Sequence, residues 1–154
     1  MSRRVWRITH RDYKDSAFTG EGAKLFGGRF NSEGIPLVYT SGSLSLTILE
    51  IFVQNNDRDY FKNCIFFYAD LAEELIFKPD PKDFPADWNQ VPHGQTSQQF
   101  GDKWISGRKS LVMQVPSVVV PVEFNFVINP HHPDFHHISY REFNLVAFDE
   151  RLFV

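Results

Sequence analysis

Cysteine is nearly missing from this chain. Cys64 is the only one, which rules out an internal disulfide or a thiolate metal cluster within one chain. Set in NCIFFY, it reads as a small buried hydrophobe rather than a nucleophile. No apolar run approaches the roughly 20 residues that a membrane-spanning helix requires, and the leading MSRRVWRITHRDY lacks the apolar stretch of a secretory signal. A cytoplasmic protein with no membrane partner is expected. Basic residues are too scattered for a nucleic-acid surface: 16 Lys and Arg stand against 19 Asp and Glu, a formal net charge of −3, where a binder of phosphate backbones gathers its cations on one face.

Familiar catalytic signatures are absent as well. GEGAKLFGG matches neither the dinucleotide fingerprint nor a phosphate-binding P-loop. No G-x-S-x-G elbow occurs, and Ser117 in VPSVVVP lies between strand-like runs rather than on a strand-to-helix turn. Of six histidines, four fall in NPHHPDFHH around Asp134, without the spacing that sets two imidazoles on one helix face. No metal site is expected, and the segment 131–137 is assigned to structure or partner contact.

What remains is an ordinary globular composition. The chain has 154 residues, 42% of them hydrophobic, and shows no repeat or domain-sized shift in composition, so a single domain over 1–154 with a real core is expected. VWRITH and PLVYTS read as strands. LSLTILEIFVQ reads as a helix capped by Ser41 or Ser43. KNCIFFYADLAEELIFK predicts one long strand or two with a bend, and the proline-punctuated PDPKDFPADWNQVPHG predicts irregular chain. TSQQFGDKWISGRK carries Thr96 and Gln99 in capping-box spacing ahead of a short helix. Pro116 and Pro121 interrupt the β-branched runs that follow. Strands outnumber helices, and the fold class is α+β: a central mixed or antiparallel sheet with two or three helices against it.

Two residues stand out on physical grounds. Glu50 lies in LTILEIFV, where a carboxylate with an apolar flank is costly unless paired or functional, although the polar stripe of an amphipathic helix accounts for it as well. Arg7, between Trp6 and Ile8, must find an anion or bear the cost of desolvation.

The order WRI, GAKLFGGRFN, GIPLVYTS, SLSLTILE, FGDKW, VPSVVVP and EFNFVINPHHPDF resembles the RES domain, from about residue 5 to the C-terminus. The resemblance implies the toxin of a bacterial type II toxin–antitoxin pair, with an Xre-like helix-turn-helix antitoxin as partner and a fold like that of ADP-ribosyltransferases. It implies NAD as substrate, with no tightly bound cofactor. The family's arginine, glutamate and serine fall on Arg29, Glu50 and Ser117. Tyr39 matches the aromatic that stacks on nicotinamide in related transferases, and Arg7 and Asn125 match strongly patterned positions. Thr47 departs from the family's frequent alanine.

These residue types suit the implied chemistry. Expelling neutral nicotinamide from its ribose needs no general acid, but the sugar passes through an oxocarbenium-like transition state that a carboxylate stabilises, the role expected of Glu50. Arg29, then Arg7, is expected to hold the diphosphate through planar guanidinium contacts. Gly27 and Gly28 would let the dinucleotide approach the backbone. Ser117 is expected to bond ribose or phosphate, or to orient Glu50. The expected function is NAD degradation by hydrolysis or phosphorolysis. The alternatives are ADP-ribosyl transfer to a protein and a noncatalytic module that binds a nucleotide or the antitoxin. A homodimer stays open, with no repeat or heptad behind it.

Overall fold

The cross-strand pattern of the N-terminus sets the architecture. Residues Ser2–His10 form β1, which pairs antiparallel over its whole length with β3 (Cys64–Ala72). Both segments are rich in the β-branched and aromatic residues that fill a pleated surface, and the directly opposed Arg4 and Asp70 form a two-pronged ion pair at 2.8 and 2.9 Å. The computed structural model describes residues 1–144 and 148–153. The remaining strands are β2 (Val38–Ser41), β4 (Ile76–Phe77), β5 (Val112–Pro116), β6 (Phe124–Ile128) and β7 (Tyr140–Phe143). They make one sheet of seven strands in the order β4-β5-β6-β2-β1-β3-β7, with β4 and β5 parallel and every other pair antiparallel. This is the mixed sheet of an α+β fold. Among the described residues there are four α-helices, α1 (Glu21–Phe26), α2 (Leu44–Phe52), α3 (Arg58–Lys62) and α4 (Gln95–Gly107), and none is long and apolar enough to cross a membrane.

The sheet has a seam. β2 pairs with β6 over four residues, yet β1 and β2 share a single ladder pair, Trp6 with Ser41. On one face, Val5, Val38, Phe67, Phe126 and Ile128 pack with Phe18 into a continuous core. On the other face the packing is split. Phe30, Leu37, Met113, Val115 and Val127 sit under α4, while Ile8 and Phe66 sit under α2 and α3, packed with Phe61 of α3 and with Phe148 and Phe153 of the C-terminal segment. A cleft opens between these two packed groups, and α2 runs along it.

The helix ends follow local chemistry. Ser43 caps α2, its Oγ accepting from Leu46 N at 3.1 Å. The capping box predicted for α4 does not form. The helix starts at Gln95 behind Gly94, and the Thr96 hydroxyl instead donates to the Asp87 carboxylate, a charge-assisted bond stronger than one to a backbone group. Gly101 in α4 is there for contact: a Cβ on it would lie 1.8 Å from the Phe30 carbonyl oxygen, so the helix rests directly on the loop that carries Arg29. In the histidine-rich segment, His132 Nδ1 accepts from Asp134 N at 3.0 Å and caps a 3-10 turn over Pro133–His137.

Candidate active site

Glu50 lies at the end of the second turn of α2 and reaches across the cleft to the β5–β6 hairpin. Its Oε1 accepts from Ser117 Oγ at 2.6 Å and from Asn125 Nδ2 at 2.8 Å. Ser117 is fully buried, and its oxygen accepts in turn from the backbone N–H groups of Val119 and Val120 at 3.1 and 3.0 Å. With both lone-pair positions filled by amides, the hydroxyl has only its proton left to give, and that proton goes to Glu50. Ser117 therefore orients the carboxylate and offers nothing to a ligand directly. Asn125 is fixed from behind as well, because Ser41 Oγ donates to its Oδ1 at 2.7 Å. Both donors converge on Oε1. Among the described residues, Oε2 takes no protein donor, which leaves it free toward the cleft.

The cleft encloses about 140 Å³ and is lined by Trp6, Arg7 and Ile8 of β1, by Tyr39, Thr40 and Ser41 of β2, by Asn125, by Thr47, Glu50 and Ile51 of α2, and by Gln54 in the turn that follows it. Arg7 fills the wedge where β1 and β2 part. Its Nη1 donates to the Tyr39 carbonyl at 3.0 Å and its Nε to the Ala17 carbonyl. The guanidinium thus replaces the ladder bond that the seam lacks, and burial pulls its pKa down to about 10. Arg7 donates to two neutral carbonyl oxygens rather than to an anion, and its lowered pKa reflects the desolvation that the sequence offered as the alternative.

Tyr39 lines the cleft while its hydroxyl points into the protein. The hydroxyl donates to Asn31 Oδ1 at 2.6 Å and accepts from Phe30 N at 3.0 Å, and burial raises the phenol well above the usual tyrosine value. Asn31 is wholly buried and ties the same loop together, its Nδ2 donating to the carbonyls of Ala23 and Ile35, each at 2.8 Å. The glycines ahead of Arg29 follow from this packing. Gly27 ends α1 at φ +72°, a conformation that disfavours side chains. A Cβ on Gly28 would stand 2.5 Å from the Tyr39 hydroxyl. Gly28 therefore makes room for Tyr39.

Arg29 is not part of the cleft lining. Its Nη1 donates to the carbonyls of Trp88 and Gln90, both at 2.8 Å, in the irregular segment ahead of α4. Burial holds its pKa below the ordinary arginine value, against a smaller opposing pull from the Glu50 carboxylate. Cys64, as read from its neighbours, is no nucleophile: its thiol donates to the Tyr60 carbonyl at 3.2 Å, and burial raises its pKa to about 11.

Of the residues chosen from sequence, Glu50, Ser117 and Asn125 are joined by hydrogen bonds, and Arg7 and Tyr39 share their cleft. Gly28 and Arg29 stand behind and beside it. Sequence reasoning missed Ser41, Thr47 and Gln54 in the lining and Asn31 as the loop's anchor. Gln54 is four residues after Glu50, a spacing that shares a helix face and that would have found it.

The chain that folds into this split sheet, with a carboxylate fixed over the opening, belongs to the RES domain family, whose model matches residues 4–149. Over 132 residues it is 36% identical to a protein named Toxin Res from Photorhabdus laumondii, covering 86% of this chain and 85% of that one. It is 33% identical over 157 residues to a protein named Prs ADP-ribosylating toxin from a Sphingobium species, covering 99% of this chain and 98% of that one. The fold is similar to that in the crystal structure of the M. tuberculosis MbcT–MbcA toxin–antitoxin complex, with a TM-score of 0.70 at 16% identity, over 93% of this chain and 85% of that one.

Proposed function

We propose that this RES-family protein is a toxin that cleaves the bond between nicotinamide and ribose in NAD. The observation that carries the reading is Glu50 Oε1 held by two donors while Oε2 is left free in the cleft. A carboxylate so fixed stabilises positive charge developing on a ribosyl ring without reorganising at the moment of reaction. The C1′–N bond breaks heterolytically, its electron pair stays with nicotinamide, and the departing ring is neutral. An acceptor oxygen then bonds to C1′ and releases its proton, from water in hydrolysis or from phosphate monoanion in phosphorolysis.

The cleft, at about 140 Å³, is below the roughly 300 Å³ typical of sites that enclose a drug-sized ligand. It suits the nicotinamide riboside end, with the Tyr39 ring as a stacking face and the rest of the dinucleotide along the open surface. Arg29 is the group assigned to the diphosphate, and it must exchange its carbonyl partners for phosphate oxygens to serve there. Arg7 acts on the same site as the support of the wedge.

The name of the Sphingobium relative favours a second reading, transfer of ADP-ribose to a protein side chain, which uses the same bond cleavage with a different acceptor. The MbcT–MbcA neighbour and the toxin names support an antitoxin partner that silences the cleft; an Xre-like helix-turn-helix protein is the expected type. A purified sample incubated with NAD at several phosphate concentrations, with products separated by chromatography, tests the proposal. Nicotinamide with ADP-ribose or its 1-phosphate is the expected result. Nicotinamide released only when a protein acceptor is added supports the transferase, and none under any condition overturns the enzyme.

A further inference from the structure

No motif singles out Ser41, yet it stands where three strands meet. It ends β2, is directly opposite Trp6 of β1 on one side and Asn125 of β6 on the other, and is 5% exposed. Its hydroxyl donates to Asn125 Oδ1 at 2.7 Å, and Asn125 Nδ2 donates to Glu50 Oε1 at 2.8 Å. A carboxamide has an acceptor end and a donor end, exchanged by a half-turn about its last bond. Turned over, Asn125 would set its oxygen against Glu50 Oε1, two acceptors facing each other, so the carboxylate selects the donor end of the amide and the acceptor end is left for the Ser41 proton.

We propose that Ser41 is a positioning residue that acts through Asn125. By giving its proton to the amide oxygen it anchors the carboxamide with its donor end on Glu50, and so holds the free oxygen of that carboxylate toward the cleft. Ser117 supports the same Oε1 from the hairpin, so the carboxylate is held from two directions, one of which starts at β2. The catalytic part of the proposal rests on the NAD-cleaving reading of Glu50; the hydrogen-bond relay itself does not.

The test has two arms. In nicotinamide release, Ser41→Ala is expected to lower kcat about tenfold with KM little changed, the pattern of a lost transition-state interaction, and Ser41→Thr, which keeps the hydroxyl, is expected to recover most of it. In an Asn125→Ala background, Ser41→Ala should cause no further loss, because a relay whose second member is gone transmits nothing. The second arm needs no turnover. In ¹⁵N-labelled protein, the Asn125 side-chain amide resonances should move toward those of a free amide in Ser41→Ala and return in Ser41→Thr, with melting curves verifying the fold. Unchanged Asn125 resonances in Ser41→Ala, or losses that multiply in the double variant, would overturn the relay. A wild-type protein that releases no nicotinamide overturns the NAD reading instead, and the amide resonances alone then decide the role of Ser41.

Discussion

At the scale of single residues, the site is built by exhausting hydrogen-bonding capacity. Ser117 accepts two amides and donates once, so its proton has one destination. Replacing it with alanine leaves the amides of Val119 and Val120 without an acceptor and Glu50 with one donor. Ser117→Ala is expected to destabilise the fold by about 1–3 kcal/mol, the usual cost of orphaned buried polar groups, and to slow turnover about tenfold or more, measured by chemical denaturation and nicotinamide release. A stability equal to wild type would contradict the saturated geometry. His93 reports on Arg29 in the same way. Burial first, and the charge of Arg29 second, hold its pKa below the histidine reference of 6.5. The charged form is therefore disfavoured in the folded state, and the contribution of His93 to stability is present above that reference and lost as the pH falls through the depressed folded value. Arg29→Gln should move the His93 titration part of the way back up in an NMR pH series; an unmoved curve would mean that the two side chains do not interact. Glu50 and Arg7 were legible in the sequence because a charge among apolar neighbours is conspicuous. Ser41 and Asn31 were not, because a small polar residue in a strand or loop carries no sign of which distant atom it will meet.

At the scale of elements, the placement of Arg29 depends on close approach between α4 and its loop. Gly101 allows the Phe30 carbonyl to lie against the helix, and Asp102 of the next position accepts from Ser32 N at 2.9 Å and from the Ser32 hydroxyl. Gly101→Ala forces the two apart. A loss of about 3 kcal/mol is expected, the upper part of the range for overpacking, read as a lower denaturant midpoint with an unchanged slope; a cost below 0.5 kcal/mol would show that the loop yields freely. Element type was mostly readable. VWRITH, read as a strand, lies in β1, and KNCIFFYADLAEELIFK, read as one strand or two with a bend, holds β3 and β4, the bend being a 3-10 turn over Glu73–Leu75. Helix α1 escaped because it is six residues long and flanked by glycines, which signal a loop. The Thr96 capping box misled because local spacing cannot anticipate Asp87, nine residues away, as a better partner.

At the scale of the whole molecule, the decisive feature is the seam between β1 and β2, where one ladder pair joins two half-sheets and the cleft opens below it. Nothing in the strand sequences announces it, because strand order and the length of each ladder are set by long-range packing. Substrate bound across such a seam stabilises the folded state by mass action. In an inactive Glu50→Gln protein, NAD at 100 times its dissociation constant is expected to add about 2.7 kcal/mol, a rise in melting temperature of about 5–10 °C for a chain of this size, and no shift at any NAD concentration would mean that the folded protein does not bind the dinucleotide. The central claim, that one oriented carboxylate in this cleft drives cleavage of the nicotinamide–ribose bond, is tested most directly by the rate of nicotinamide release from saturating NAD in wild-type and Glu50→Gln proteins with matched melting curves. The account predicts a loss of at least about 100-fold, the scale of removing one preorganised electrostatic stabiliser. Equal rates in the two proteins would contradict it.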